Sequence, residues 1–453
     1  MGINFIEYLG KCAINICIQI GLIYTKGDNM SNHKHLADLL KVCSILPALA
    51  IMPAMAEGAD VQSITDGASE QSVTQAIYFN PETDLVFDGA KFVGNENTNP
   101  SGTDNKGFGT VVFSKTDTTV TFNNVLFENN KNAYGGGAIA NYADAEFVVN
   151  NSQFVGNHAY YDGGAIGNYG GLTITDSSFE GNTADYAYDA EEKDWSIAIE
   201  DDTAVGGGAI SLGSISETTV GTITGSTFKN NKSGTNGGAI GTRLAQNPGG
   251  SKNDNVAKLD IAATFIGNEA LKDGGAIYNT FWNDNGLGKG DGVTVTGIFE
   301  ENKAGHFGGA IYNDGAKDKN GKGGVMTVNS AEFEENEAYY GGAIFNNAGK
   351  MNILGTADKR VVFEGNKAYV GGAFSDMQNV GSETVIKNAL FEENHAGADA
   401  GAAGFYGKVD VENTIFRKNT AAITIDGVTA DVGNSDGGGA IQVGGTSDVS
   451  LTK

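Results

Sequence analysis

Carboxylates dominate the side chains here that could do chemistry. Asp and Glu number 55 against 29 Lys and Arg, a net charge of −26 over 453 residues. Two dense clusters, Asp189-Ala-Glu191-Glu192 with Asp194 and then Glu200-Asp201-Asp202, fall in one irregular stretch. Oxygen-only ligands suit calcium, but the spacing matches neither an EF-hand nor a calcium-binding nonapeptide. That stretch reads first as a solvated acidic loop, with calcium the one ion it could hold and no other cofactor expected. A second set is regular. Glu300, Glu334, Glu364 and Glu392 each directly follow a Phe, and Glu128 and Glu180 occupy the same slot. Stacked like charges repel, and Lys303 and Lys367, three residues on, are positioned to offset them. The bland reading is a screened face that keeps the protein soluble; the sharper one is a cation-tuned or ligand-facing stripe. Tyrosines form a third set, Tyr134, Tyr160, Tyr161, Tyr339, Tyr340 and Tyr369, a candidate aromatic contact stripe for protein or glycan.

Several chemistries find no support. Beyond residue 56 the only histidines are His158, His306 and His395, and the only arginines Arg243, Arg360 and Arg417. No pair of carboxylates stands out as a glycosidase acid and nucleophile. The three cysteines, Cys12, Cys17 and Cys43, lie at the start, so the body has no thiolate for metal or catalysis. The strong negative balance argues against nucleic acid and anionic lipid, which select clustered Lys and Arg.

These residues are set by a repeat. Phe-x-x-Asn recurs eleven times: Phe92–Asn95, Phe127–Asn130, Phe154–Asn157, Phe179–Asn182, Phe228–Asn231, Phe265–Asn268, Phe299–Asn302, Phe333–Asn336, Phe363–Asn366, Phe391–Asn394 and Phe416–Asn419. Gly-Gly-Ala-Ile begins at Gly136, Gly163, Gly207, Gly237, Gly274, Gly308, Gly341 and Gly438, with a Phe variant at Gly371 and a decayed copy at Gly401–Gly404. The distance from Phe to the Gly pair is nearly constant, whereas the return to the next Phe varies, so insertions enter on one side only. The residue after the Asn is mostly polar (Lys131, His158, Thr183), and the next is mostly Ala, one solvated slot and one small buried one. Runs such as Leu172-Thr-Ile-Thr and Val293-Thr-Val-Thr alternate with period two, and no helical period appears.

Short strands repeated in this way stack as a parallel β-helix. The expected fold is all-β: a right-handed, single-stranded parallel β-helix of about eleven rungs, of the pectate-lyase type of architecture. Phe should stack on Phe at the ~4.8 Å strand spacing. The Asn should form an inward amide ladder and take the left-handed backbone of a corner. The Gly pair should serve a tight turn or a close approach of rungs.

The alternation of Phe-x-x-Asn with Gly-Gly-Ala-Ile resembles the polymorphic membrane protein repeats of chlamydiae, over about Phe92 to Ile441. The resemblance implies a β-helical passenger exported as an autotransporter, displayed at the outer surface and associated with adhesion. Its partners would be proteins or glycans on a host or neighbouring cell. It also implies a translocator barrel, which this sequence lacks and which would be supplied in cis or from a neighbouring reading frame. The start fits export. Residues 30–56 have Lys34 and Lys41, an apolar run from Val42 to Ile51 and the A-x-A site Ala54-Met55-Ala56, a signal peptide. Residues 1–29 read as an early start or a signal extension, 57–84 as a lead-in and cap, and 85–453 as the coil. The run is too short and Pro-broken for a spanning helix, and no later stretch could be one. The reading is a non-enzymatic, surface-displayed adhesin or passenger; the alternative is a β-helical polysaccharide lyase or hydrolase.

Overall fold

The computed structural model describes residues 62–64, 77–79, 83–97, 111–113, 118–141, 145–184, 186–189, 194–197, 206–214, 218–244, 256–280, 292–314, 325–377, 382–421, 438–444 and 447–452. The expected signal peptide and residues 1–29 lie outside them. One rung shows the plan. Thr119–Asn123 and Leu126–Glu128 run on one face, Lys131–Asn132 makes a short second face, and Ile139–Asn141 makes the third. The next rung repeats it in register: Thr119 beside Glu146, Phe127 beside Phe154, Lys131 beside His158, Ile139 beside Ile166. The first face becomes a sheet of 21 strands and the third a sheet of 12, with runs of seven and three two-to-five-residue strands between. All described strand pairs are parallel except one, the hairpin of Tyr186–Asp189 with Asp194–Ile197. The chain is thus all-β and folds as a parallel β-helix.

Alternation of Val, Ile and Thr produces the long sheet. In Thr119–Asn123 and Gly171–Thr175 every second side chain is buried. The Phe of each motif points inward. Ten successive pairs from Phe92 to Phe416 stack with centroids 4.4–5.0 Å apart and ring planes within 13°. Each such pair adds about 0.5–1.5 kcal/mol beyond its buried area. Opposite lies the Ile column of the third sheet, Ile139, Ile166, Ile210, Ile240, Ile277, Ile311 and Ile344, continued by Phe374 and Ala403.

The Gly pair meets both expected demands, one per residue. The first Gly turns left-handed, as at Gly275's predecessor Gly274 (φ +67°). The second lies against the next rung: a Cβ on Gly275 would sit 2.0 Å from the Gly309 carbonyl oxygen. Two expectations need correction. The left-handed residue at the Phe-x-x-Asn corner is not the motif Asn but the residue before it: Gly94, Asn129, Gly156, Gly181, Asn230, Gly267, Glu301, Glu335, Gly365, Glu393 and Lys418 all have positive φ. The coil also begins ahead of residue 85. Gln62–Ile64 pairs with Leu85–Phe87, and Ile77–Phe79 with Val111–Phe113, both in parallel register.

Candidate functional site

Freed of backbone strain, each motif Asn is available for hydrogen bonding. Asn302 shows the pattern: its Nδ2 donates to Asn336 Oδ1 (3.0 Å) and to the Phe265 carbonyl (3.0 Å), and its Oδ1 accepts from Asn268 Nδ2 (2.9 Å) and the Asn268 backbone N–H (3.1 Å). The ladder runs unbroken from Asn95 to Asn419 through separations of 25 to 49 residues. A second ladder was not anticipated. Two residues beyond the Ile, Asn141 donates to Asn168, Asn279 to Asn313 and Asn313 to Asn346, all at 2.8–2.9 Å. Its signal was the recurring Asn of Gly-Gly-Ala-Ile-x-Asn.

These ladders fix the outward side chains in columns. Glu300, Glu334, Glu364 and Glu392 stand in register on consecutive strands, followed by Arg417. Glu128 and Glu180 are not adjacent, because Val155 stands between them. Partial burial, then Glu364 and Glu300, raise the pKa of Glu334. A hydrogen bond from Arg417 lowers that of Glu392. The expected offset by Lys303 is redirected. Its Nζ lies 3.1 Å from Glu337, in the neighbouring column, where Lys232 also meets Glu269 at 3.0 Å. The reason is register: the slot after the Asn alternates Lys232, Glu269, Lys303, Glu337 and Lys367 up the coil, so Lys232 and Lys303 each meet a carboxylate one rung away.

The tyrosines form two patches rather than one stripe. Tyr134, Tyr160 and Tyr161 are half-buried, with Tyr134 and Tyr161 edge to face at 5.1 Å. Tyr339 and Tyr369 stack at 4.9 Å and are 47% and 37% exposed. Between the patches the same slot holds Thr235, Lys272 and His306, joined rung to rung by backbone hydrogen bonds. Tyr340 turns away, stacking on Phe307 at 5.4 Å, and Phe307 packs on Phe345 at 4.5 Å. These rings join the stacked Tyr278 and Tyr312 to cover the outside of the Gly-Gly corner, a second apolar cluster unannounced by the repeat.

Three further ionisable groups have shifted pKa values. His158 is half-buried, not fully solvated, and desolvation, then Lys131, lowers its pKa to about 4. Asp273, half-buried near His306, is raised by desolvation to about 6. Asp376 occupies the second ladder's slot beside Asn346 and accepts from the Tyr406 and Gly407 backbone N–H groups. Burial raises it to about 6 against these hydrogen bonds. Among the described residues no group of three or more His, Cys, Asp or Glu is placed to hold a metal ion, and no helix is long and apolar enough to cross a membrane. Asp189 and Asp194 are backbone pairing partners in the hairpin; Glu191, Glu192, Glu200, Asp201 and Asp202 lie outside the described residues.

No curated protein and no solved structure matches the chain. Four segments, residues 124–142, 225–243, 262–280 and 296–314, match the family profile described as the Chlamydia polymorphic membrane protein repeat. Each spans the constant part of a rung, from the corner before the Phe to the Asn or Thr of the second ladder's slot and one residue beyond. The chain is a parallel β-helix, four of whose rungs match the chlamydial polymorphic membrane protein repeat.

Proposed function

We propose that the chain is the surface-displayed passenger of an autotransporter-type membrane protein and acts as an adhesin. The reading is supported first by the repeat match. The observation that carries the contact itself is the exposed, stacked pair Tyr339 and Tyr369 on a rigid coil. Repeated side chains on one stiff support engage a cell surface many times at once, so weak single contacts sum to strong attachment. Partners on this reading are proteins or glycans of a host or neighbouring cell, and the chain performs no covalent chemistry.

Beads coated with the chain should adhere to cultured epithelial cells. The double substitution Tyr339→Ser with Tyr369→Ser should reduce bound beads several-fold at an unchanged melting temperature. Equal adhesion by the variant would remove the tyrosine pair from the contact; no adhesion by either would overturn the adhesin reading. Cleavage of pectin, alginate or cell-surface glycan by the same preparation would favour a polysaccharide-active enzyme instead.

A further inference from the structure

The outer face of the long sheet, from the Phe299 rung to the Phe416 rung, presents two parallel columns. One follows each Phe: Glu300, Glu334, Glu364, Glu392 and then Arg417. The other precedes each Phe: Ile298, Glu332, Val362, Leu390 and Ile415. Both face outward because the Phe between them faces the core. Ile298 and Ile415 are 39% and 42% exposed, and Val362 and Leu390 half-buried. An aliphatic column, interrupted by Glu332, therefore runs beside an acidic one.

The chain itself supplies cations to one end of the acidic column. Arg417 and Lys418 both reach Glu392. Glu334 instead has Glu300 and Glu364 as its in-register neighbours, and Glu300 and Glu364 are flanked by Ile266 and Glu392.

We propose that this face docks a basic amphipathic helix of a partner protein, its Lys or Arg side chains along the Glu column and its aliphatic side chains along the Ile298–Ile415 column. Charge complementarity selects a cationic occupant, and the net charge of −26 disfavours a second copy of this chain. Spacing selects a helix. The rungs here lie 4.4–4.9 Å apart by their Phe rings. Side chains on one helical face advance about 5.4 Å per turn, whereas same-side positions on a strand advance about 6.6 Å. A helix lying along the coil axis stays near register over four rungs, within the reach of a flexible Lys; a strand falls out of step sooner. The inference goes beyond adhesion and does not require it.

The test uses fluorescence anisotropy with labelled Leu/Lys peptides of about five helical turns. One places Lys and Leu in adjacent stripes at helical spacing; another has the same composition in strict alternation. The helical pattern should bind the whole chain, gain helicity by circular dichroism on binding, and bind at least tenfold more weakly to the Glu334→Gln, Glu364→Gln double variant. That variant relieves the repulsion that Glu364 and Glu300 exert on Glu334 and gives up one exposed attraction between Glu364 and Arg417, so its melting temperature should change little. Equal affinity for both peptides, indifference to the double variant, or no binding at low salt would each overturn the proposal. Failure of bead adhesion would leave this result untouched, so the two readings fall separately.

Discussion

Asn302 stands between two rungs and serves both. Its removal in Asn302→Ala leaves Asn268 Nδ2, Asn336 Oδ1 and the Phe265 carbonyl short of a partner in a buried channel. A buried group left unpaired costs about 1–3 kcal/mol. The substitution should therefore destabilise the coil by about 3 kcal/mol or more, read as a lower urea midpoint. Loss of less than ~1 kcal/mol would mean that water replaces the amide, as it does at exposed hydrogen bonds. The same reasoning explains what the motif conceals. Phe, Asn and the Gly pair stand out in the sequence because each is the one residue type suited to its place. The left-handed position was hidden because Gly94, Asn129, Glu301 and Lys418 all fill it. Glutamate there accepts a conformational cost of about 1–2 kcal/mol that glycine would not incur.

The ladders are the elements that turn sequence into geometry, and the second is interrupted, by Leu212 and Thr242 and again by Asp376. Asp376 stands where Asn141, Asn168, Asn279, Asn313 and Asn346 stand in other rungs, and Asn346 donates to Thr384 instead. Asp376 is 2% exposed, and its pKa rises from 3.8 to about 6. A carboxyl raised on folding stabilises the fold most when protonated. That contribution is fully present below about 3.8 and is lost as pH rises through about 6. Two pKa units correspond to about 3 kcal/mol. The chain should thus melt higher at pH 5 than at pH 7.5. Asp376→Asn should flatten that difference and raise the midpoint at pH 7.5, since an amide oxygen still accepts from Tyr406 and Gly407. An unchanged pH profile in the variant would assign the effect elsewhere, first to Asp273, which has the same shift. At this scale the acidic and tyrosine columns were only partly legible. Period-two alternation foretold that Glu300 through Glu392 face outward. It could not foretell that Lys303 pairs with Glu337, which depends on which residue the next rung brings alongside.

For the whole molecule, the fold was readable because every rung solves one packing problem with one set of residues. What escaped was the cover of Phe307, Tyr312, Tyr340 and Phe345 over the Gly-Gly corner, assembled from slots that hold Asp, Gly or Ser in other rungs. The unbroken Asn ladder has a further consequence. Each motif Asn meets the same donors and acceptors above and below, so any rung can follow any other. Deleting residues 268–301, a separation of 34, joins Gly267 to Asn302 and restores Phe265-x-x-Asn, at the loss of the partly exposed Lys232–Glu269 ion pair. The shortened chain should fold and melt cooperatively within a few degrees of the parent; collapse to an unfolded chain would show that rungs are not interchangeable. Recombination between two repeats of one gene therefore lengthens or shortens the rod without redesign. The distance at which the molecule presents its outermost side chains becomes a quantity that unequal crossing-over can adjust in whole steps of one rung.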